Sequence, residues 1–304
     1  MTESNGKDRF SVQWRQWAIT RLMCYVASIA AAAIVATILT RLLVPPAPSP
    51  WHDLVWIKNL LLPVGLFALY ALLVRVMEHR TAKEIDIRQG LPTLLPGFLL
   101  GSGVIALCLL LLLGLGMAQI TEGTGLKGLA GELLTPLVTA MGEELLFRAI
   151  IFGIVEEVFG SIIALFVSAV LFGLAHAANP GATPFTITAL SIEMGAMLAL
   201  AYILTRNIWF PVAIHAAWNL TEAFVFGTYN SGVRDPHTFF RTNLSGTDMF
   251  TGGTFGPEGS ALTLLLSIAV STVLYLLIRR RHNWQPVRFQ PRRSKPMPAV
   301  SRNA

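Results

Sequence analysis

Residues 93–118 read TLLPGFLLGSGVIALCLLLLLGLGMA, with no charged side chain from Thr93 to Ala118. A helix needs about 20 apolar residues to cross about 30 Å of hydrocarbon, so this stretch alone is long enough to span a bilayer. Further apolar segments lie on both sides: approximately Trp17 to Leu43, Leu54 to Met77, Gly128 to Val155, Ser161 to Ala178, Phe185 to Thr205, Ile208 to Gly227 and Ser260 to Ile278. The chain therefore reads as an all-α, polytopic membrane protein with about eight transmembrane helices. Its composition, 54% hydrophobic against 13% charged, excludes an ordinary soluble domain.

The formal net charge of +6 does not point to nucleic acid, because the cations gather at the chain ends and in one internal loop beside apolar spans. That distribution sets orientation. A cytoplasmic N-terminus, 80s loop (Arg80, Lys83, Arg88), Arg206 and C-terminal tail satisfy the positive-inside rule, and an even number of helices puts both termini on the cytoplasmic side of the inner membrane. Residues 1–16 then form a basic cytoplasmic tail, 17–281 the transmembrane helical domain, and 282–304 a basic, proline-containing tail without a folding period, suited to anionic lipid. The apolar stretch from Trp17 to Val44 exceeds the roughly 7 to 15 residues of a signal core and reads as an uncleaved anchor. Pro45, Pro46, Pro48 and Pro50 mark an exposed connection. The loop from Thr228 to Gly259 falls outside, either as a lid or as a solvated connection, and Glu156 and Glu157 read as solvated at a helix end. Cys24 and Cys108 sit in apolar runs without zinc or disulfide spacing.

An ionisable side chain within a membrane helix costs about 2.5 to 3.5 kcal/mol even on the lenient insertion scale, so each one calls for an explanation. Here they cluster. The fourth segment holds Gly142-Glu143-Glu144-Leu145-Leu146-Phe147-Arg148, the fifth Phe172-Gly173-Leu174-Ala175-His176, and the seventh His215-Ala216-Ala217-Trp218-Asn219. Residues four apart share a helix face, whereas neighbours diverge by about 100°. Glu144 and Arg148 therefore face each other as an ion pair, and Glu143 points elsewhere, toward water or another helix. His215 and Asn219 share a face as donors to a common acceptor. A carboxylate in a poorly hydrated site suits the removal of a proton from water during hydrolysis, which makes Glu143 the candidate base; a nearby imidazole would hold that water, and Asn and His donors would stabilise an oxyanion. Phe172 packs against a neighbouring helix and is a candidate wall of the substrate cleft, and Glu193 on the sixth segment is a candidate extension of the polar cavity. No cofactor is implied. There is no H-E-x-x-H, and the metal assignment is none, although one Glu and two His on separate helices are a zinc-competent donor set.

The order Glu-Glu-x-x-x-Arg, Phe-x-x-x-His, His-x-x-x-Asn on successive membrane helices resembles the CPBP family, the intramembrane glutamic endopeptidases that include the CAAX prenyl proteases. The approach to the last motif, through Met194, Gly195, Thr205-Arg206-Asn207-Ile208-Trp209 and Pro211, is similar as well. The resemblance covers a core of about residues 129–227. It implies that Glu143 activates water with His176, that His215 and Asn219 form the oxyanion site, and that Glu144 and Arg148 support it. It also implies a membrane-anchored peptide or protein as substrate, lipidated tails being one such class. Two other readings compete: a proton-coupled transporter or channel, which also uses intramembrane acids and histidines, and a catalytically silent scaffold or immunity factor. Straight helices drawn from these boundaries set His215, Glu143 and His176 at different depths, so their helices must tilt or break. Pro136 and the glycines around it leave room for that.

Overall fold

The computed structural model describes residues 2–43, 55–126 and 129–286. Eight helical segments longer than ten residues follow one another among them: α1 (Thr2–Leu43), α2 (Val55–Glu78), α3 (Ile87–Gly114), α4 (129–159), α5 (Ser161–Ala175), α6 (Pro184–Thr205), α7 (209–225) and α8 (Ala261–Arg281). Of these, α1, α2, α3, α6 and α8 are long and apolar enough to cross a membrane, and α5 is a shorter apolar helix. Apolar side chains such as Met23, Ile34, Leu61, Leu72, Leu99, Leu110, Leu265 and Leu276 point outward, as they must where the solvent is lipid. The 45–50 proline segment and the end of the C-terminal tail lie outside the described residues.

Several boundaries differ from the expected ones, and those of α3 have a local cause. Helix α1 is already helical from Thr2, including the basic segment ahead of Trp17. Helix α3 begins at Ile87 and not at Thr93, because the Asp86 side chain caps it by accepting from Arg88 N at 3.0 Å. It stops at Gly114 because Gly116 takes φ +71° and the chain turns into strand β1 (Ala118–Glu122). That strand pairs antiparallel with β2 (Phe240–Leu244), Ala118 opposite Leu244 and Glu122 opposite Phe240. The expected outer loop is therefore an ordered cap, tied to the end of α3. Gly160, at φ +82°, reverses the chain between α4 and α5.

At the end of the bundle opposite the cap, charges are paired. Arg21 contacts Glu78 and Glu157, Arg80 contacts Glu84 at 2.9 Å, and Arg206 bonds Glu156 and the carbonyl of Asn283. Glu156, expected to be solvated, is thus ion-paired beside a helix turn, and the start of the C-terminal tail is docked through Asn283 onto Ile203 and Leu204. Helix α6 lies at the centre, with every residue from Met197 to Leu204 buried.

Small residues let the polar helices approach. A Cβ on Gly97 would lie 2.8 Å from the Ala213 Cβ, and one on Gly101 would lie 2.1 Å from the Ile214 carbonyl oxygen, so the Gly-x-x-x-Gly face of α3 seats α7. Gly195 of α6 similarly meets the backbone of Ala169 in α5. Gly101→Ala should destabilise the protein by about 1 to 3 kcal/mol through overpacking. Gly103→Ala, with open space around that position, should leave the detergent melting temperature unchanged or slightly raised.

Candidate active site

Helices α4, α6 and α7 each carry a π-helical turn, at Leu145–Phe152, Ser191–Ala196 and Leu220–Val225. The turns in α4 and α7 directly follow the Glu143-Glu144 pair and Asn219, and the turn in α6 contains Glu193. One cavity of about 290 Å³ is lined by Glu143 of α4, Phe172 of α5, His176 at the end of α5, and His215 and Asn219 of α7. The helices therefore bring together groups that straight spans would hold apart.

Glu144 and Arg148 are both sealed from solvent, and Oε2 lies 3.0 Å from Nε as an ion pair off the axis of an aligned hydrogen bond. Arg148 reaches two more helices, donating to the Met194 carbonyl at 2.8 Å in α6 and to Ser168 Oγ at 3.4 Å in α5. Its guanidinium lies 5.0 Å from the centre of the Phe172 ring. Glu144 Oε1 accepts from His215 Nδ1 at 3.0 Å, which joins α7 to the same network. Phe172 is packed between the two imidazoles, with ring centres 5.0 Å from His176 and 5.9 Å from His215.

The hydrogen-bond partners set both ring orientations. His176 Nδ1 lies 2.9 Å from the Phe172 carbonyl, which can only accept, so Nδ1 carries a hydrogen and Nε2 is the free nitrogen. In His215 the Nδ1 hydrogen goes to Glu144, and Nε2 faces Glu143 Oε2 at 3.9 Å. Glu143 keeps 27% of its side-chain exposure, whereas Glu144 has none. Two adjacent carboxylates have been separated into one sealed and one open.

Glu193 does not extend the cavity. It is fully buried in the π turn of α6, outside the lining residues, and neither oxygen has a hydrogen-bond partner. The lining includes residues that the motifs did not indicate. Thr135 and Thr139 precede Glu143 by eight and four positions, a polar stripe along one face of α4 that helical spacing could have revealed. Asn230, Ser231 and Glu258 come from the cap, where no periodicity marks them. Ser231 donates to Glu258 from Oγ at 2.6 Å and also from its backbone N–H; burial nevertheless pushes the Glu258 carboxyl above its ordinary range. Among the described residues, no three His, Cys, Asp or Glu side chains are grouped as metal ligands.

Residues 125–221 match the family model described as Type II CAAX prenyl endopeptidase Rce1-like. That stretch contains all three motifs and agrees with the resemblance they carry. No curated protein and no solved structure matches the chain significantly.

Replacing Glu144 with Gln leaves the Arg148 charge buried without its partner. This should cost about 3 to 5 kcal/mol of stability, read as a lower melting temperature in detergent. Replacing both residues with Met should recover most of that loss, since no unpaired charge then remains.

Proposed function

We propose that the chain hydrolyses a peptide bond in a membrane-anchored peptide or protein, with water activated by Glu143. The observation that carries this reading is the division of labour between neighbouring carboxylates: Glu144 is locked to Arg148 and His215, while Glu143 opens onto the cavity shared with His176 and Asn219.

In the proposed reaction a water molecule sits between Glu143 and the free Nε2 of His176. Its oxygen attacks the scissile carbonyl carbon as one of its protons passes to the Glu143 carboxylate. The negative charge that develops on the carbonyl oxygen is met by the Asn219 side-chain N–H and, when the ring carries both protons, by His215 Nε2–H. Collapse of the tetrahedral intermediate breaks the C–N bond, and the proton held by Glu143 moves to the departing amine. Glu144 and Arg148 act by holding His215 and α4 in place.

A membrane-anchored substrate fits a cavity enclosed by helices whose outer faces are apolar. The family description supports prenylated C-terminal tails as the first class to test. The proposed orientation places both termini on the cytoplasmic side of the inner membrane, at the end of the bundle where Arg80, Arg206 and Arg279–Arg281 lie, with the cap on the opposite side.

The test compares wild type with Glu143→Gln, purified in detergent, against membrane-anchored and prenylated peptides with and without chelator. Wild type should cleave, Glu143→Gln should lose about 10² to 10⁴-fold in rate, and chelator should change neither. Full activity in Glu143→Gln would remove the assignment, and chelator sensitivity would transfer water activation to a metal.

A further inference from the structure

We infer that Asn230, in the cap and outside the three motifs, is a positioning residue that fixes which end of the Asn219 amide faces the cavity. The inference rests on the proposed role of Asn219 as an oxyanion donor, because only the NH2 end of that amide can serve.

Asn230 Nδ2 donates to Glu222 Oε2 at 2.9 Å and to Asn219 Oδ1 at 3.3 Å. Glu222 is fully buried one turn beyond Asn219. Its Oε2 also accepts from the Trp218 indole N–H at 3.1 Å, and its Oε1 accepts from the backbone N–H of Glu258 at 3.1 Å. Indole and backbone N–H groups only donate, so both oxygens of Glu222 are held as acceptors. An ionised Glu222 has no hydrogen to give, and the group of Asn230 that faces it is then NH2. Its two hydrogens are then fully used, one on Glu222 and one on the Asn219 oxygen. With that oxygen occupied, Asn219 is left to present its own NH2 to the cavity it lines. Reversing the Asn230 amide would set its oxygen against an accepting carboxylate and against the Asn219 oxygen, two repulsions in place of two bonds.

The backbone around Asn230 is held just as firmly. Asn230 and Val233 exchange backbone hydrogen bonds at 2.8 and 2.9 Å, the Asn179 side chain donates to the Ser231 carbonyl at 3.0 Å, and Ser231 is bonded to Glu258 ahead of α8. The cap thus does more than cover the cavity. Through Asn230 it transmits a hydrogen-bond polarity, set by the buried Glu222, to a side chain at the reacting centre.

Asn230→Asp keeps the shape and removes both donors, so the Asn219 amide should rotate to place its NH2 on the introduced carboxylate and its oxygen in the cavity. With a quenched-fluorescent farnesylated CAAX peptide as probe, Asn230→Asp and Asn219→Ala should each lower kcat about 10²-fold with little change in KM. The double variant should be no slower than Asn219→Ala alone. Additive losses, or a fully active Asn230→Asp, would overturn the inference. Should Asn219→Ala retain full activity, the oxyanion role of Asn219 fails, and should wild type leave the probe uncut, the prenylated class fails as substrate; in both cases the amide orientation is decided separately. That decision comes from side-chain amide hydrogen exchange in protein labelled with ¹⁵N-asparagine. The Asn230 NH2 should exchange slowly and the Asn219 NH2 rapidly in wild type, and the Asn219 NH2 should slow in Asn230→Asp. A protected Asn219 NH2 in wild type would overturn the inference even if the Asn230→Asp variant does not fold.

Discussion

The buried ion pair between Glu144 and Arg148 organises the bundle around it. A charge in the middle of a membrane protein is tolerated when it is paired and hydrogen-bonded, and an isolated one is costly. Placing the partners four residues apart on α4 satisfies the first condition locally. The remaining hydrogen-bonding capacity then has to be met by other helices, which is why Arg148 reaches Ser168 and Met194 and Glu144 reaches His215. Four helices are thereby fixed relative to one another by a pair of side chains. The pair is not an alternative to a functional reading of the site, since it supplies the frame on which His215 is aimed.

Close approach is the second constraint. Ion pairs and hydrogen bonds reach only about 3 Å, so helices carrying these groups need seams where the backbones nearly touch. Glycines at positions 97 and 101 make one such seam between α3 and α7, and Gly195 contributes to another between α6 and α5. A single methyl group at Gly101 would push His215 away from Glu144 along with the rest of α7. Packing of small residues outside the cavity lining and geometry inside it are therefore the same problem in this protein.

Much of this was legible in the sequence, and the reasons for the rest are physical. Hydropathy gave eight helical segments because lipid admits few ways of satisfying a backbone, and fourfold spacing separated Glu143 from Glu144 because adjacent residues on a helix diverge by about 100°. The convergence of His176, Glu143 and His215 on one cavity was not legible, since helix tilt and packing depend on tertiary contacts and leave no periodicity of their own. Glu193 was a candidate for the cavity on chemical type alone, and it lies buried outside the lining residues. The cap contributed Asn230, Ser231 and Glu258 without any signal, because its order comes from pairing with Ala118–Glu122 far away in the chain and from hydrogen bonds to Asn179 and Glu222.

The two ends of the molecule are fastened by different forces. At the cationic end, opposite charges meet: Arg21 with Glu78 and Glu157, Arg80 with Glu84, Arg206 with Glu156. At the cap end the closures run through amides, hydroxyls and backbone groups, as in Asn179 to Ser231, Thr228 to the Glu222 carbonyl and Thr242 to the Phe226 carbonyl. Salt bridges can tolerate a sliding contact, because attraction between charges falls off slowly with distance and depends little on angle. Hydrogen bonds weaken steeply with misalignment and so specify direction. A reaction centre that must present a donor, and not an acceptor, to a developing oxyanion needs the directional kind of fastening close by. The structure places it there, on the side where Asn219 meets the cap.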